Sequence, residues 1–153
     1  VLALRRRFRV PGDDGRLQVL LADGAQFVRE REGCFDILLV DGYDESGIPA
    51  ALSSQAFYDA CRDALAPGGV LAGNLYATDH QDHVRKLKRS FGRGHVWLLE
   101  EARQSNRVVF AWKGEPFPGG KVDLPAIAAR IPAGARRELA DALLRVAQAW
   151  DRR

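Results

Sequence analysis

The order of segments along the chain predicts an α/β domain with a largely parallel sheet. Apolar segments of strand length alternate with amphipathic segments of helix length, and this alternation places each helix as a right-handed connection between parallel strands. The segment Phe35–Val40 reads FDILLV, which is apolar at almost every position and typical of a strand covered on both faces. Two later apolar segments, joined by a short polar link, predict an antiparallel hairpin.

The N-terminal third of the chain supplies two predicted helices and two predicted strands. Residues 1–8 are interpreted as the end of a helix that stops before a Pro-Gly pair. Residues 17–22 form a short apolar strand. Residues 24–32 have helical spacing, and Gly33 ends that helix. The strand Phe35–Val40 follows directly.

The middle of the chain continues the same alternation. Residues 41–52 are predicted as a long loop, and Ser53 or Ser54 caps the helix that follows it. The buried stripe of this helix consists of apolar side chains four residues apart: Phe57, Cys61 and Leu65. Residues 66–69, with the sequence APGG, break the helix before a further apolar strand at residues 70–74.

The next helix and the hairpin complete the predicted sheet domain. Thr78 and Gln81 have the spacing of a capping box at the start of this helix. Its buried side has three apolar members: Val84, Leu87 and Phe91. Residues 95–102 and 107–112 are the two strands of the hairpin.

A proline- and glycine-rich stretch at residues 116–120 divides the chain. We therefore expect one domain at residues 1–114, followed by a linker and a helical tail at residues 115–153. The tail has two predicted helices, at residues 124–131 and 133–150. The second helix has one apolar face: Leu139, Leu143, Val146, Ala147 and Trp150.

Composition excludes several classes of protein. The chain has 153 residues, of which 46% are hydrophobic and 28% charged, so long disorder is ruled out. No apolar run approaches the ~18 residues of a membrane span, and the N-terminus has no signal-peptide pattern. The basic residues behind the net charge of +3 are dispersed, and the N-terminal arginine cluster holds only one aromatic residue, Phe8. Neither a membrane nor a nucleic acid is therefore expected as a partner.

Two residue counts bear on the setting and the extent of the chain. Its two cysteines lie far apart without CxxC spacing, which indicates a reducing, cytoplasmic environment. There is no methionine, even at position 1, so we expect the sequence to be a fragment or a processed product that lacks its N-terminal part. Cys34 and Cys61 are expected to be packing residues. The core is also expected to contain aromatic side chains: Phe8, Phe27, Phe35, Phe57, Trp97, Phe110 and Trp112.

Polar residues follow three of the predicted strands, where a parallel sheet places its ligand site. Asp23-Gly24 follows the first strand, Asp41 to Asp44 follow the second and Asn74 to Tyr76 follow the third, so we expect these groups to lie near one another. Asp41, Asp44 and Glu45 together would form an acidic pocket suited to a cationic substrate such as an amine or a sulfonium. The alternative is that these carboxylates only cap the loop and the next helix.

Two further polar motifs leave alternatives open. Asp23 could accept a hydrogen bond from an exocyclic amine such as that of adenine, or it could serve as a helix N-cap. His80 and His83 are three residues apart on a helix, but no third ligand is evident, so we predict no metal site and interpret this segment as a solvated first turn.

Residues 16–71, RLQVLLADGAQFVREREGCFDILLVDGYDESGIPAALSSQAFYDACRDALAPGGVL, resemble the spermidine synthase family of polyamine aminopropyltransferases. The resemblance extends from residue 1 to about residue 114. It rests on a strand that ends in Asp-Gly, a strand that ends in an Asp-x-x-Asp loop, a Phe-Tyr helix and a Pro-x-Gly-Gly turn. It implies a three-layer Rossmann-like sheet of the class I methyltransferase type with a C-terminal antiparallel hairpin, lacking its first two strands.

The resemblance also implies roles for individual residues. Asp41 would be the catalytic carboxylate, and Asp44 would help to hold the amine substrate together with Tyr43, which stands where the family usually has a small residue. Asp23, with Gly24, would contact the adenine of the nucleotide. The co-substrate would be decarboxylated S-adenosylmethionine or S-adenosylmethionine, with no metal, and the protein would be a homodimer.

Several family features are not in the sequence. The glycine-rich nucleotide loop, the acidic residue that grips the ribose and the N-terminal β-hairpin domain would all precede residue 1. The family's sheet order 3-2-1-4-5-7-6 therefore lacks strands 1 and 2, and we expect residues 17–22 and Phe35–Val40 not to pair as they do in an intact member. Residues 1–114 would form a partial catalytic domain.

Three functions remain open on the sequence. The first is a spermidine synthase-like transfer of an aminopropyl group from decarboxylated S-adenosylmethionine to a small-molecule amine. The second is methyl transfer from S-adenosylmethionine on the same fold. The third is a non-catalytic binding or dimerisation module, because a fold does not by itself determine a function.

Overall fold

The computed structural model describes residues 2–45, 47–76, 80–100, 106–115 and 122–152. These residues contain a four-stranded sheet in the order β1-β2-β4-β3. The strands are β1 (Phe35–Val40), β2 (Leu65–Tyr76), β3 (Val96–Glu100) and β4 (Asn106–Trp112). The helices are α1 (Gly24–Arg29), α2 (Ala50–Ser53), α3 (Gln55–Ala64), α4 (His80–Phe91), α5 (Leu124–Ala129) and α6 (Ala133–Asp151), with 3₁₀ turns at Leu2–Leu4 and Arg93–His95.

The strand pairing confirms the predicted order of the sheet. β1 and β2 are parallel, and α2 and α3 connect them. β4 lies between β2 and β3 and is antiparallel to both. The predicted hairpin is therefore correct, and the parallel pair places the carboxyl ends of β1 and β2 at the same edge of the sheet.

The core lies between the sheet and one layer of helices. α1, α3 and α4 contribute buried side chains, among them Val28, Phe57 and Leu87, which face Leu71 and Val109 of the sheet. Ser54 is the N-cap of α3, where its Oγ accepts a hydrogen bond from the Phe57 backbone N–H at 3.1 Å. The sequence had left Ser53 and Ser54 as alternatives.

The C-terminal helix contacts the sheet through an aromatic pair. The Trp150 ring of α6 meets Trp97 of β3 edge-on at 5.1 Å, and Trp97 in turn stacks on Phe110 across the hairpin. Both tail helices occur close to their predicted positions, and Ala147 is buried. Leu139, expected on the apolar face, is instead exposed; it lies more than two turns before Ala147, the buried residue of α6.

The predicted strand at residues 17–22 is wrong. The structure has no strand there, and the side chains of Leu20 and Leu21 are 59% and 90% exposed. An apolar segment forms a strand only if a neighbouring strand satisfies its backbone N–H and C=O groups, and the described residues provide no such neighbour. This agrees with the expectation that residues 17–22 and Phe35–Val40 do not pair as they do in an intact family member, since the segment forms no strand and β1 pairs with β2 alone among the described strands.

β1 has the predicted bounds but not the predicted burial. Ile37 and Leu39 are 66% and 75% exposed, whereas Leu38 and Val40 pack against the core. β1 is an edge strand of the described sheet, and no helix of the described residues covers its second face. The apolar side chains on that face, Ile37 and Leu39, are therefore exposed.

Other expectations about individual segments need correction. Instead of a helix, the described residues 2–8 contain a short 3₁₀ turn, Leu2–Leu4, and Phe8 is 71% exposed and not in the core. The predicted loop at residues 41–52 contains α2 near its end. Thr78, the first residue of the predicted capping box, and the predicted linker at residues 116–120 lie outside the described residues.

The two cysteines differ in their environments. Cys61 is fully buried on α3, and burial raises the pKa of its thiol to about 12. Cys34 is exposed before β1, which corrects the expectation that both thiols pack in the core. Of the two thiols, only that of Cys34 is therefore accessible to a reagent in solution.

We expect one fast-reacting thiol in the native protein. At pH 8 a disulfide reagent should modify Cys34 at once and Cys61 only after unfolding, because a buried thiol with a raised pKa supplies almost no thiolate. Counting released chromophore before and after adding denaturant measures both classes. Cys34→Ser should remove the fast phase, and a native protein with two equally fast thiols would contradict this assignment.

Candidate active site

Asp41 stands at the carboxyl end of β1, beside the carboxyl end of β2. The strand register pairs Val40 with Gly73, so the next residues, Asp41 and Asn74, lie side by side, one just past the end of β1 and the other two residues before the end of β2. The side-chain amide of Asn74 donates a hydrogen bond from Nδ2 to Asp41 Oδ1 at 3.1 Å. A residue of the neighbouring strand thus holds one oxygen of the carboxylate.

Tyr43 connects the loop after β1 to the same residue of β2. Its hydroxyl donates to the backbone carbonyl oxygen of Asn74 at 2.9 Å. Asn74 therefore contacts Asp41 through its side chain and Tyr43 through its backbone. The predicted topology places Asn74 near the acidic loop, and the structure shows the two hydrogen bonds that join them.

Asp44 belongs to a tight turn in this loop. The backbone N–H of Asp44 donates to Gly47 O at 2.8 Å, and the Gly47 N–H donates back to Asp44 O at 3.2 Å. Gly47 has φ 117°, which only glycine adopts readily. The turn therefore fixes the backbone from which the Asp44 carboxylate projects.

Asp23 is the N-cap of α1. Its Oδ1 accepts a hydrogen bond from the Gln26 backbone N–H at 2.8 Å, which confirms the capping alternative for this oxygen. A carboxylate has two acceptor oxygens, so capping through Oδ1 does not exclude a ligand at Oδ2.

Leu52 of α2 brings the Asp23 turn and the Asp41 loop together. A Cβ placed on Gly24 would be 3.8 Å from Leu52 Cδ2, and one placed on Gly42 would be 2.6 Å from Leu52 Cδ1. The Leu52 side chain thus packs against both glycines, and the expected proximity of the two acidic segments is confirmed. Sequence reasoning missed Leu52 because it treated residues 41–52 as a loop.

Behind these loops, Tyr58 and His83 form a buried pair. The Tyr58 hydroxyl and His83 Nδ1 are 2.7 Å apart, and burial raises the pKa of the Tyr58 phenol above its usual value. His83 is therefore a core residue of α4, contrary to the expectation of a solvated first turn. His80 Nδ1 lies 3.2 Å from the Arg107 guanidinium.

The site offers a ligand two exposed carboxylates, those of Asp41 and Asp44. Asp41 and Asp44 are exposed, so both can meet a ligand, and each can accept a proton or bind an ammonium group. Within the described ranges the structure groups no three side chains of His, Cys, Asp or Glu that could hold a metal ion. None of the described helices has the length and apolar character needed to cross a membrane.

The sequence matches known proteins over most of this region. The spermine/spermidine synthase domain family matches residues 6–90, which is more than half of the chain. A polyamine aminopropyltransferase of Chromobacterium violaceum is 34% identical over 119 residues, which are 76% of this chain and 45% of that protein. The chain thus spans about half the length of the curated relatives it matches.

Solved structures share the fold. A spermidine synthase in complex with the transition state analogue AdoDATO superposes with a TM-score of 0.57 at 23% identity, over 84% of this chain and 52% of that one. Human methyltransferase-like protein 13 in complex with SAH gives a TM-score of 0.65 at 20% identity, over 93% and 66% of the respective chains. At these identities the comparison shows the fold alone, which is the predicted Rossmann-like α/β fold.

The region that matches the family contains both acidic loops of the candidate site. The family match at residues 6–90 includes Asp23, Asp41 and Asp44, together with the strand β1 that positions Asp41. This chain belongs to the spermine/spermidine synthase family.

Proposed function

We propose that the chain forms part of the active site of an aminopropyltransferase, which moves an aminopropyl group from decarboxylated S-adenosylmethionine to a small-molecule amine. Membership of the spermine/spermidine synthase family supports this activity. The observation that carries it is the Asp41 carboxylate, which Asn74 holds at the carboxyl end of β1. The chain covers 45% of its Chromobacterium relative, and the residues named below are those that it would contribute to such a site.

In this proposal Asp41 handles the proton of the acceptor amine. The co-substrate supplies a carbon made electrophilic by a neighbouring sulfonium. The amine nitrogen forms a bond to this carbon as the carbon–sulfur bond breaks, the sulfur leaves as a thioether, and Asp41 takes the proton that the nitrogen loses. Positioning of the two reactants contributes most of the rate, and the general base adds about 10²–10⁴-fold.

Asp44 and Tyr43 would hold the amine. Both lie in the exposed loop beside Asp41, where a second negative charge attracts a cationic end of the substrate. The Tyr43 hydroxyl is tied to Asn74 O, so its ring would form a wall of the amine pocket.

Asp23 and Gly24 would hold the adenine of the nucleotide. The Asp23 carboxylate lies at the start of α1 and caps the helix through Oδ1, so Oδ2 would accept a hydrogen bond from the exocyclic amine of adenine. These residues fit the adenine end of an adenosyl ligand. The nearby Gly42 and Leu52 would lie between the nucleotide and amine parts of the site.

One experiment tests the proposed reaction and its alternatives. The protein is incubated with an alkyl diamine and either decarboxylated S-adenosylmethionine or S-adenosylmethionine, and the products are separated by mass. An aminopropylated amine supports the proposal, whereas a methylated product supports methyl transfer, which the likeness to methyltransferase-like protein 13 keeps as a second candidate. No product and no binding of methylthioadenosine would indicate a non-catalytic module.

We also propose that the protein is cytoplasmic and forms a homodimer. The two free cysteines, one of them exposed, support a reducing compartment. The family resemblance supports the dimer. Light scattering coupled to size-exclusion chromatography measures the mass of the assembly, and a monomer would contradict this part of the proposal.

We expect Asp23→Ala to weaken nucleotide binding by about tenfold or more. Loss of a hydrogen bond to a charged group typically costs about 1.5 kcal/mol or more. Isothermal titration with methylthioadenosine measures the affinity. Because the substitution also removes the α1 cap, Asp123→Ala is the matched control: Asp123 caps α5 in the same way, through Ala126 N at 3.0 Å. Equal affinity in the parent protein and Asp23→Ala would refute the adenine role.

A further inference from the structure

Asn74 forms hydrogen bonds to two residues of the acidic loop. Its side chain and its backbone act on two different residues: Nδ2 donates to Asp41 Oδ1 at 3.1 Å, and its carbonyl oxygen accepts from the Tyr43 hydroxyl at 2.9 Å. Both partners lie on the loop after β1, whereas Asn74 belongs to β2. A single residue of the sheet therefore links two positions of an otherwise exposed loop.

Asn74 is itself held in place by the sheet. It lies within β2, and the register pairs it with Val108 of the antiparallel strand β4. The preceding residue, Gly73, pairs with Val40 of β1 on the other side. The backbone of Asn74 is thus paired with β4 and directly follows the last residue of β2 that pairs with β1, which makes it a rigid point from which to orient a loop side chain.

Asp41 lacks such support of its own. It follows the last residue of the edge strand β1 and its side chain is exposed. A carboxylate in this position rotates about χ1 unless a partner selects one rotamer. The bond from Asn74 supplies that partner on Oδ1 and directs Oδ2 to the opposite side of the carboxylate.

We propose that Asn74 is the positioning residue of the site. Its amide fixes the Asp41 carboxylate so that Oδ2 meets the acceptor amine, and its carbonyl oxygen separately anchors the ring of Tyr43 as the wall of the amine pocket. The inference rests on the proposed transfer reaction. The side-chain amide of Asn74 would affect kcat, the turnover of bound amine. Its backbone carbonyl oxygen, through Tyr43, would affect the KM for amine.

Substitutions at Asn74 and Tyr43 separate these two effects. Asn74→Ala removes the amide but keeps the carbonyl oxygen, so kcat should fall about tenfold to a hundredfold with little change in the KM for amine. Tyr43→Phe removes the other bond and keeps the ring, so it should raise the KM for amine with a smaller effect on kcat. Steady-state kinetics with a fixed diamine measure both quantities.

Two conservative variants exclude a merely structural role. Asn74→Gln keeps the amide donor and should recover part of the lost kcat. Asn74→Asp has the same shape as asparagine but replaces the donor by a second carboxylate beside Asp41, so kcat should fall below that of Asn74→Ala. If Asn74 only filled space, Asn74→Gln would recover no more kcat than Asn74→Ala, and that result, or an Asn74→Asp protein close to wild type, would overturn the inference.

A measurement that needs no turnover tests the same bond. Three-bond couplings about χ1 of Asp41 should report one rotamer in the parent protein and in Asn74→Gln, and averaged rotamers in Asn74→Ala. Averaged rotamers already in the parent protein would overturn the inference. An inactive parent protein with a single Asp41 rotamer, lost in Asn74→Ala, would instead refute the proposed transfer reaction and keep the positioning role.

Discussion

Asp41→Asn is expected to lower kcat for aminopropyl transfer by about 10²–10⁴-fold, the usual contribution of a general base. The amide has nearly the shape of the carboxylate, but it cannot take a proton from the amine. Binding of methylthioadenosine should be little changed, because the proposed adenine contact is Asp23. Initial rates at saturating co-substrate and a binding titration together separate the two effects.

The control for this variant lies on the same strand. Asp36 is exposed near the start of β1, at the opposite end from Asp41, so Asp36→Asn removes the same charge without touching the site. Its kcat should equal that of the parent protein. Near-normal turnover in Asp41→Asn, or an equal loss in both variants, would sink the assignment of Asp41 as the catalytic carboxylate.

Gly69→Ala is expected to destabilise the protein by about 3 kcal/mol or more, the upper end of the range for overpacking. A Cβ on Gly69 would lie 2.8 Å from Phe35 O and 2.9 Å from Ala66 O, and both are backbone atoms that cannot rotate away. The clash falls where the β1–β2 register shifts between Phe35 and Ile37. The two parallel strands would therefore have to separate locally.

Urea denaturation followed by circular dichroism measures this loss. Gly94→Ala is the matched control, because a Cβ there would meet nothing within 4 Å, and its free energy of unfolding should stay close to that of the parent protein. If Gly69→Ala unfolded at the same urea concentration as Gly94→Ala, the close approach of β1 and β2 at this bulge would be wrong.

Local sequence rules were sufficient where an element depends mainly on its own residues. β1 has the predicted bounds because its apolar, β-branched run stops at Asp41. Residues 66–69, predicted as a break, instead form a bulge inside the long strand β2, and Gly68 there has φ 79°. Glycine marks both a turn and a bulge, so the residue type alone could not distinguish them.

The candidate site was only partly accessible to such rules. Placing Asp41 and Asn74 together required the parallel pairing of β1 and β2, which the order of helices and strands predicts. The bond between their side chains and the packing of Leu52 between Gly24 and Gly42 depend on side-chain positions across distant segments. No spacing along the chain contains that information.

The sequence by itself determined the succession of helices and strands from α1 to α6 apart from α2, the parallel pair of β1 and β2, the antiparallel hairpin of β3 and β4, and the carboxylates that follow β1. These follow from apolar periodicity, caps and the handedness of connections, which are properties of short segments. Only the tertiary structure decided which apolar segments are buried. Residues 17–22 and the outer face of β1 have strand-like composition yet remain exposed, because burial and strand pairing need a neighbouring element, and the described chain supplies none at that edge.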